Sequence, residues 1–421
     1  MLQKRLVRMI LLITILAAFL IPMVASGEGE KITLDFPSWQ ATEPGFSDWW
    51  KEVIADFESK HPNVKINFYQ VPFKGYIDTL LTRCGSKNPP DILHLPARNV
   101  PQFADSGWLE PLDPMLKKSD IPATWISLQK GMVRNKKTYG VVLLGYGYVL
   151  FYNEKMLNDA GVKVPKTPQQ FLAAAKALTL DKDKNGQIDQ FGYGMPTATH
   201  PNIYMEATKF VIGQGGHWSK AGKLMLKDPR VIKGLKIYQS LYRDKVVPLG
   251  ITDEQKRQYF FEGKIAMMTD GPWTLALRNK SPKEVAPYIK VAPMPFGKTC
   301  GGLSNCIHIP AGLSAEKKKL VWDFIYDLTR PQFQRRYSEL TMSPPARKGV
   351  VDSGLLQKYP EMALFSREAE KAVDFMPPGF EGQYVEFTTQ IIDACMELSN
   401  PSVTVESVLG KLEKKLSDLN D

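Results

Sequence analysis

Cysteine and histidine are scarce, at four and five residues in a chain of 421. Four thiols are too few to frame a fold of this length. Neither Cys84, Cys300, Cys306 and Cys395 nor His61, His94, His200, His217 and His308 fall at zinc-ligand spacing. No Gly-x-Ser-x-Gly elbow, Walker loop or dinucleotide fingerprint occurs, which removes the hydrolase, nucleotidase and dehydrogenase readings that such motifs carry. Tracts of five or six like charges are also missing, and the lysines and arginines are spread along the chain, so a nucleic-acid footprint is not expected. Low-complexity segments and repeats are absent as well.

What remains is an ordinary globular composition, 43% hydrophobic and 23% charged, and long enough for two domains with separate cores. Residues 1–26 differ from the rest. Lys4, Arg5 and Arg8 precede the apolar run Met9–Ile21 and the small residues Ala25 and Ser26, the pattern of a secretory signal peptide. The run is shorter than the roughly 20 residues of a membrane span. No cysteine lies near the expected cleavage point, so a cleaved, lipid-free, periplasmic or secreted protein is expected. The formal charge is +10; three of those charges precede Gly27 with no acid among them, leaving +7 on the exported part. Cys300 and Cys306 flank Gly301 and Gly302, whose freedom would let a short loop close in a disulfide.

Patterning then gives the elements. Lys31–Phe36 alternates apolar and polar residues and reads as a strand. Phe46, Trp49, Trp50, Val53, Ile54 and Phe57 form one face of a helix, and Val64–Phe68 is a second strand. This β-α-β order implies a parallel pair. A helix around Tyr76–Arg83 and a short strand Asp91–Leu95 repeat the pattern. Val141–Tyr152, an almost uninterrupted apolar and aromatic run, is expected to be one strand crossing between lobes. Helices over Pro168–Leu178 and Leu226–Arg243, a buried strand ending near Met268 and a Pro- and Gly-rich return over Val291–Gly302 follow. Val405–Leu419 closes the chain as an amphipathic helix.

Several segments together resemble the family 1 extracellular solute-binding proteins of ABC importers, the maltose-binding-protein-like group. Tyr139–Leu157 with Ala160-Gly161-Val162 and Pro165–Pro168 resembles the family's hinge strand, Tyr-Asn turn and opening helix of the second lobe. Phe261–Trp273, with Phe260 restoring the spacing, resembles its F-x-x-G-x-x-A-M-x-x-x-G-x-W pattern. Pro90-Asp91-Ile92, Gly107–Leu112 and Gly301–Ser304 add to it, so that the likeness spans nearly the whole exported chain. The resemblance implies an α/β, two-lobe type II periplasmic-binding-protein fold with an interlobe hinge and a ligand cleft. The lobes would be 27–145 with 302–345, and 146–301 with 346–421. It also implies a carbohydrate ligand, permease subunits of an ABC importer as partners, a monomer, and no catalysis.

A sugar needs aromatic platforms and planar side chains that each make two hydrogen bonds. Trp273, after the Asp270-Gly271-Pro272 turn, matches the position where the family's maltose-binding member stacks a tryptophan; a buried core role is the alternative. Asp270 would accept hydroxyl hydrogen bonds or form an Asx turn. Trp39 and Gln40 lie just past the C-terminal end of the first strand, the edge where open α/β sheets bind ligands. Arg98 and Asn99 align with a charged, sugar-contacting pair in the maltose-binding member, but the residue types differ. Tyr146 and Tyr148 lie on the hinge strand and share a face. Tyr204 and Trp218 fall near the second lobe's aromatic helix, and Ser304 lies in the Gly-rich return. Trp49 and Trp50 fit the packing face instead. Asp181, Asp183, Asn185 and Asp189, with Gly186 between, match positions 1, 3, 5, 9 and 6 of a calcium loop, but the twelfth position is Gly192 rather than Glu. A metal-free Asx-rich turn is the favoured reading there, with structural calcium as the alternative and no other cofactor expected. Two rival functions remain: the same transport role for an anionic ligand, a glycerol phosphodiester or uronate oligomer, suggested by Arg98 and the +7 charge, and a secreted carbohydrate-active enzyme with carboxylates roughly 5–10 Å apart.

Overall fold

The computed structural model describes residues 31–417 and Leu419; the expected signal peptide lies outside these residues. The chain opens with β1 (Ile32–Ser38), α1 (Phe46–Lys60), β2 (Val64–Gln70), α2 (Tyr76–Gly85) and β3 (Leu93–Pro96). β1 and β2 are parallel and in register from Ile32 opposite Val64 to Ser38 opposite Gln70. The Ile92 amide donates to the Asp35 carbonyl at 3.1 Å, which brings the approach to β3 alongside β1. All six apolar residues of the α1 stripe are buried. Trp49 and Trp50 belong to this core, each indole N–H bonded internally, to the Phe333 carbonyl and to Gln40 Oε1.

The single strand expected over Val141–Tyr152 is two strands, β4 (Val141–Gly147) and β5 (Val149–Asn153), divided at Tyr148. Both are buried on both faces, which explains why the run is apolar without alternation. After α3 (Pro168–Ala177), β6 (Phe191–Gly194), α4 (Asn202–Gly213), α5 (Pro229–Arg243) and α6 (Asp253–Phe261) come β7 (Ile265–Asp270) and β8 (Ile289–Ala292). These strands build a second sheet in the order β8-β5-β7-β6. The chain then returns as β9 (Cys300–His308), which pairs antiparallel with both β3 and β4 in the first sheet. α7 (Ala315–Leu328), α8 (Pro331–Thr341), α9 (Glu361–Lys371), the short β10 (Val373–Asp374), α10 (Tyr384–Glu397) and α11 (Val405–Ser417) complete the fold.

Each sheet has its own core. Leu34, Trp50, Phe103, Val141 and Phe324 pack in one cluster, and Leu150, Phe171, Phe210, Leu241 and Leu409 in another. A smaller cluster, including Val149, Phe151, Phe260 and Phe365, covers the opposite face of the second sheet. This is the two-lobe α/β architecture with a hinge.

The disulfide does not form. All four cysteines are free and buried, because Gly301 and Gly302 are strand residues opposite Gly147 and Tyr146 rather than a loop. Five residues of extended β9 lie between Cys300 and Cys306, a separation of roughly 20 Å, far beyond the ~7 Å limit for a bridge.

The two crossings lie against each other. The Tyr148 amide donates to the Cys300 carbonyl at 3.0 Å, and Thr299 Oγ1 donates to the Tyr148 carbonyl at 2.8 Å. A Cβ on Gly301 would sit 2.1 Å from the Tyr146 carbonyl oxygen. Gly301→Ala therefore has to push the crossing strands apart, and a loss of about 1–3 kcal/mol is expected. Chemical denaturation measures it; an unchanged midpoint would show that the crossing tolerates separation.

Candidate functional site

A cavity of about 100 Å³ opens between the lobes at the crossing. It brings together six of the residues singled out in the sequence: Trp39, Gln40, Arg98, Tyr146, Trp273 and Ser304; Tyr148 lines it too.

Trp39 follows β1 directly. Ser38 caps the short turn, its Oγ accepting from the Gln40 amide at 3.0 Å and meeting His94 Nδ1 at 2.8 Å. The Trp39 ring is stacked on His94, with centroids 4.1 Å apart and planes at 7°. Burial and the nearby His308 keep His94 well below its usual pKa, so the platform beneath the indole is a neutral imidazole. Gln40 spends its carbonyl on Trp50, and its side chain also hydrogen-bonds the Glu43 carboxyl, favouring the ionised form there. Arg98 lies over the Phe73 ring at 5.3 Å, and among the described residues it forms no ion pair.

From the other lobe, Trp273 packs against both lobe cores. Its indole lies directly over Gly271, where a Cβ would fall 2.2 Å from the ring, so the glycine provides the seat. The Tyr146 ring meets it edge-on at 4.7 Å, and Tyr148 at 6.1 Å. Beneath Tyr148, at 4.4 Å from its ring, is the buried Lys209 ammonium, held by Glu206 Oε2 at 2.6 Å. Ser304 reaches the cavity because β9 bulges between Leu303 and Asn305; the register shift turns Ser304 and Asn305 toward the same space. Asn305 Oδ1 is buried without a partner among the described residues.

Four expected contacts lie elsewhere. Asn99 is buried beside Arg98 and does not line the cavity. Tyr204 donates to the Phe375 carbonyl at 2.6 Å, and Trp218 donates to Thr208 Oγ1 at 2.8 Å; both are core residues of the second lobe, because α4 is buried on nearly every side. Asp270 is consumed internally: Lys256 Nζ lies 2.9 Å away, Arg257 Nε 2.8 Å, and its Oδ1 accepts from the Gly271 amide. Burial alone would raise its pKa, but Arg257 and Lys256 outweigh that and hold it below the usual range.

Sequence reasoning missed the charged part of the wall, Glu43 from one lobe and Glu254 and Arg257 from the other. The usable signal was local, since Asp253 and Arg257 sit at i, i+4 on a helix and pair at 2.7 Å. Burial pushes the Glu43 carboxyl up to about 7; Arg257 opposes the rise, whereas Asp270 and Glu254 add to it. Glu254, by contrast, is held down to about 2 by His200, whose Nε2 is 3.4 Å from Glu254 Oε1.

The calcium-loop residues Asp181, Asp183 and Asp189 bring their carboxylates within 4.8 Å of one another on the surface. These oxygens already accept backbone amides, from Asn185 and Gly186 at Asp181 and from Lys182 at Asp189, and Asn185 bonds Asp183 through its own side chain. Gly192, at the twelfth position, brings no carboxylate and donates its amide to Thr179 Oγ1. The donor set fits an Asx-bonded turn better than a seven-coordinate calcium.

Residues 52–364 match the family model of bacterial extracellular solute-binding proteins. A galactooligosaccharide-binding protein of Bacillus subtilis is 25% identical over 363 residues, 83% of this chain and 78% of that protein. The diacetylchitobiose binding protein DasA of Streptomyces coelicolor is 27% identical over 318 residues, 70% and 68% of the two chains. Among solved structures, an ABC transporter solute-binding protein from Thermotoga lettingae bound with alpha-D-tagatose superposes with a TM-score of 0.82 at 24% identity, covering 93% of this chain and 100% of that one. Among the described residues, no helix is long and apolar enough to cross a membrane. With the family model matched over most of its length and two lobes hinged about a cleft, this chain belongs to the bacterial extracellular solute-binding proteins.

Proposed function

We propose that the protein captures a carbohydrate in the interlobe cleft and hands it, unaltered, to the permease subunits of an ABC importer. It acts outside the cytoplasmic membrane as a soluble monomer after removal of residues 1–26. The observation that carries this reading is the wall of the cavity. Aromatic rings from both lobes and the hinge surround it, namely Trp39, Phe73, Tyr146 and Trp273, with hydrogen-bonding groups set between them. Asn305 has a carbonyl oxygen with no partner among the described residues, and Gln40 and Arg98 bring side-chain N–H groups to the same wall, the acceptor and donors that ring hydroxyls require. Relatives named for galactooligosaccharide and diacetylchitobiose binding point the same way. Closure follows from differential binding: a ligand touching both lobes favours the closed arrangement.

A second reading, an anionic ligand such as a uronate oligomer or glycerol phosphodiester, rests on Arg98 and its lack of an ion pair. Glu254, ionised on the same wall, weighs against it. A strong loss of affinity with added salt would favour it, since Coulomb attraction is screened and stacking is not.

A thermal-shift screen of the exported chain against neutral sugars, oligosaccharides, uronates and glycerol phosphates is expected to give a neutral-sugar hit. Trp273→Ala should weaken that hit by about tenfold or more while the protein stays folded; consumption of the sugar during the assay would replace the binding role with an enzymatic one.

Glu43 makes a pH prediction. The folded protein keeps its proton up to about pH 7, whereas the unfolded chain releases it near 4.5. Glu43 therefore contributes stability that is complete below about 4.5 and is lost as pH rises through 7. Glu43→Gln keeps the neutral form at every pH, so the melting temperature of the variant relative to the parent should rise between pH 4.5 and 8. A difference that stays flat over that window would show that the Glu43 carboxyl ionises normally.

We further infer that the Asp181–Asp189 loop holds its shape through Asx bonds. Calcium at millimolar concentration should leave the melting temperature unchanged, and an increase abolished by Asp181→Asn would assign the ion instead.

A further inference from the structure

Outside the cleft, one face of the first lobe carries cations that no acid answers. Val133–Arg134 and Lys137–Thr138 form a short antiparallel hairpin. Its two turn residues, Asn135 and Lys136, both have positive φ, at 49° and 62°, as a two-residue type I′ turn requires. Glycine is the usual second residue of such a turn, because a side chain is strained there. A lysine in that place sets an ammonium group at the exposed tip against the preference of its own backbone. Lys137 follows it. Lys117 and Lys130 stand on the rim of a groove of about 250 Å³ beside the hairpin, whose floor includes Leu116, Ile121 and the half-exposed Val133. All four lysines are exposed, and none forms an ion pair among the described residues. The acids nearby are already engaged. Asp113 accepts from the Thr138 amide and hydroxyl at 3.0 Å, Asp105 holds Arg134 at 2.7 Å, Glu110 holds Lys118 at 2.7 Å, and Asp120 holds Arg347. Glu381 of the other lobe also acts on Arg134. None of the four lysines lines the cavity between the lobes.

We propose that this hairpin face rests reversibly on an anionic phospholipid surface, which concentrates the exported chain at a membrane without anchoring it there. The contact does not depend on what the cleft binds. A lipid surface fits the face better than an acidic protein segment does. The charges come from three separate stretches of chain and surround an apolar centre at Val133, a broad footprint rather than a pocket for one carboxylate. All are lysines, whose compact ammonium groups attract mobile headgroups without the bidentate geometry that arginine offers a fixed carboxylate. The hairpin's one arginine is taken by Asp105. Long lysine stems let Val133 approach headgroup depth while the charges stay in water. Each lysine close to an anionic leaflet strengthens association by about fivefold, and physiological salt screens charges beyond about 8 Å. The attachment is therefore weak and readily undone.

Co-sedimentation of the exported chain with vesicles tests this, using phosphatidylcholine alone and a roughly 3:1 mixture with phosphatidylglycerol. Binding to the mixed vesicles at about 0.05 M salt, absent from the neutral ones and lost at about 0.5 M, is expected. Lys136→Gly with Lys137→Gln keeps the turn, since glycine suits its backbone, and should weaken binding by about 25-fold. Lys182→Gln with Lys184→Gln removes the same charge from an exposed turn of the other lobe and should change binding by less than about twofold. Equal losses from the two pairs would show that the vesicles read net charge alone, and would overturn the hairpin face. Absence of binding to the mixed vesicles, or binding that survives the higher salt, overturns the proposal as well. Displacement of the chain from vesicles by poly-glutamate at lower concentration than the lipid would assign an acidic protein segment to this face and remove the membrane from it.

Discussion

The molecule depends on one place where two backbone segments cross between the sheets and are bonded to each other. Tyr148 and Cys300 share an amide hydrogen bond, Thr299 reaches back to the Tyr148 carbonyl, and Gly147 stands opposite Gly301. Neither glycine has room for a Cβ: at Gly147 it would meet the Glu368 carbonyl at 2.4 Å, and at Gly301 that of Tyr146 at 2.1 Å. Two crossings tied this closely behave as one line, and rotation of the lobes about it is the motion they permit. Side chains on the line, Tyr146 and Tyr148 above all, stay on the cleft floor whatever the angle between the lobes. The cleft therefore has a fixed floor and adjustable walls.

The second constraint is charge balance inside the second lobe. Asp253 and Asp270 face Lys256 and Arg257 in a buried, neutral quartet with separations of 2.7–2.9 Å. Removing such charges from water costs several kcal/mol per ion, and only close geometry with all partners present offsets it. Because Arg257 is held by two carboxylates, it presents a positioned guanidinium to the cleft. Across the gap, Glu43 feels that cation but also the carboxylates of Asp270 and Glu254, and burial decides the balance in favour of the protonated form. The buried charge network of the second lobe thus tunes, without deciding, the protonation of a residue contributed by the first.

The fold was legible because its signals are periodic. The α1 stripe and the parallel β1–β2 pair follow from spacing alone; the run through the crossing was legible as buried strand, but its division at Tyr148 was not. Trp273 was legible for a different reason: it ends a motif in which Gly271 must be small for the indole to lie down. What failed did so through long-range contact. Nothing near Asp270 in sequence says that Lys256 and Arg257, on the preceding helix, consume its acceptors, and nothing near Tyr204 or Trp218 says that α4 is buried nearly all round. The disulfide expectation failed because two glycines suggest a turn, whereas here they permit two strands to approach. Glu43 and Arg257 were passed over because charged residues outside a motif carry no mark of the cavity they will line.

The balance of interlobe contacts bears on what closes the cleft. Contacts supplied by the protein itself include aromatic pairs at the cleft. Phe73 of one lobe stacks near His200 of the other, with centroids 6.2 Å apart, and Trp273 packs against both cores. Aromatic pairs of this kind contribute about 0.5–1.5 kcal/mol beyond burial, and Glu43, its carboxyl raised to about 7, is only partly ionised near neutral pH and gives Arg257 a weakened attraction across the gap. A ligand bound at micromolar strength corresponds to about 8 kcal/mol. Whatever part of that is expressed only when both lobes touch the ligand adds to the protein's own contacts and shifts the population toward the closed state. Glu43 and Trp273 line the space between the lobes, so a ligand that filled the space beside them would touch both lobes at once and favour the closed state.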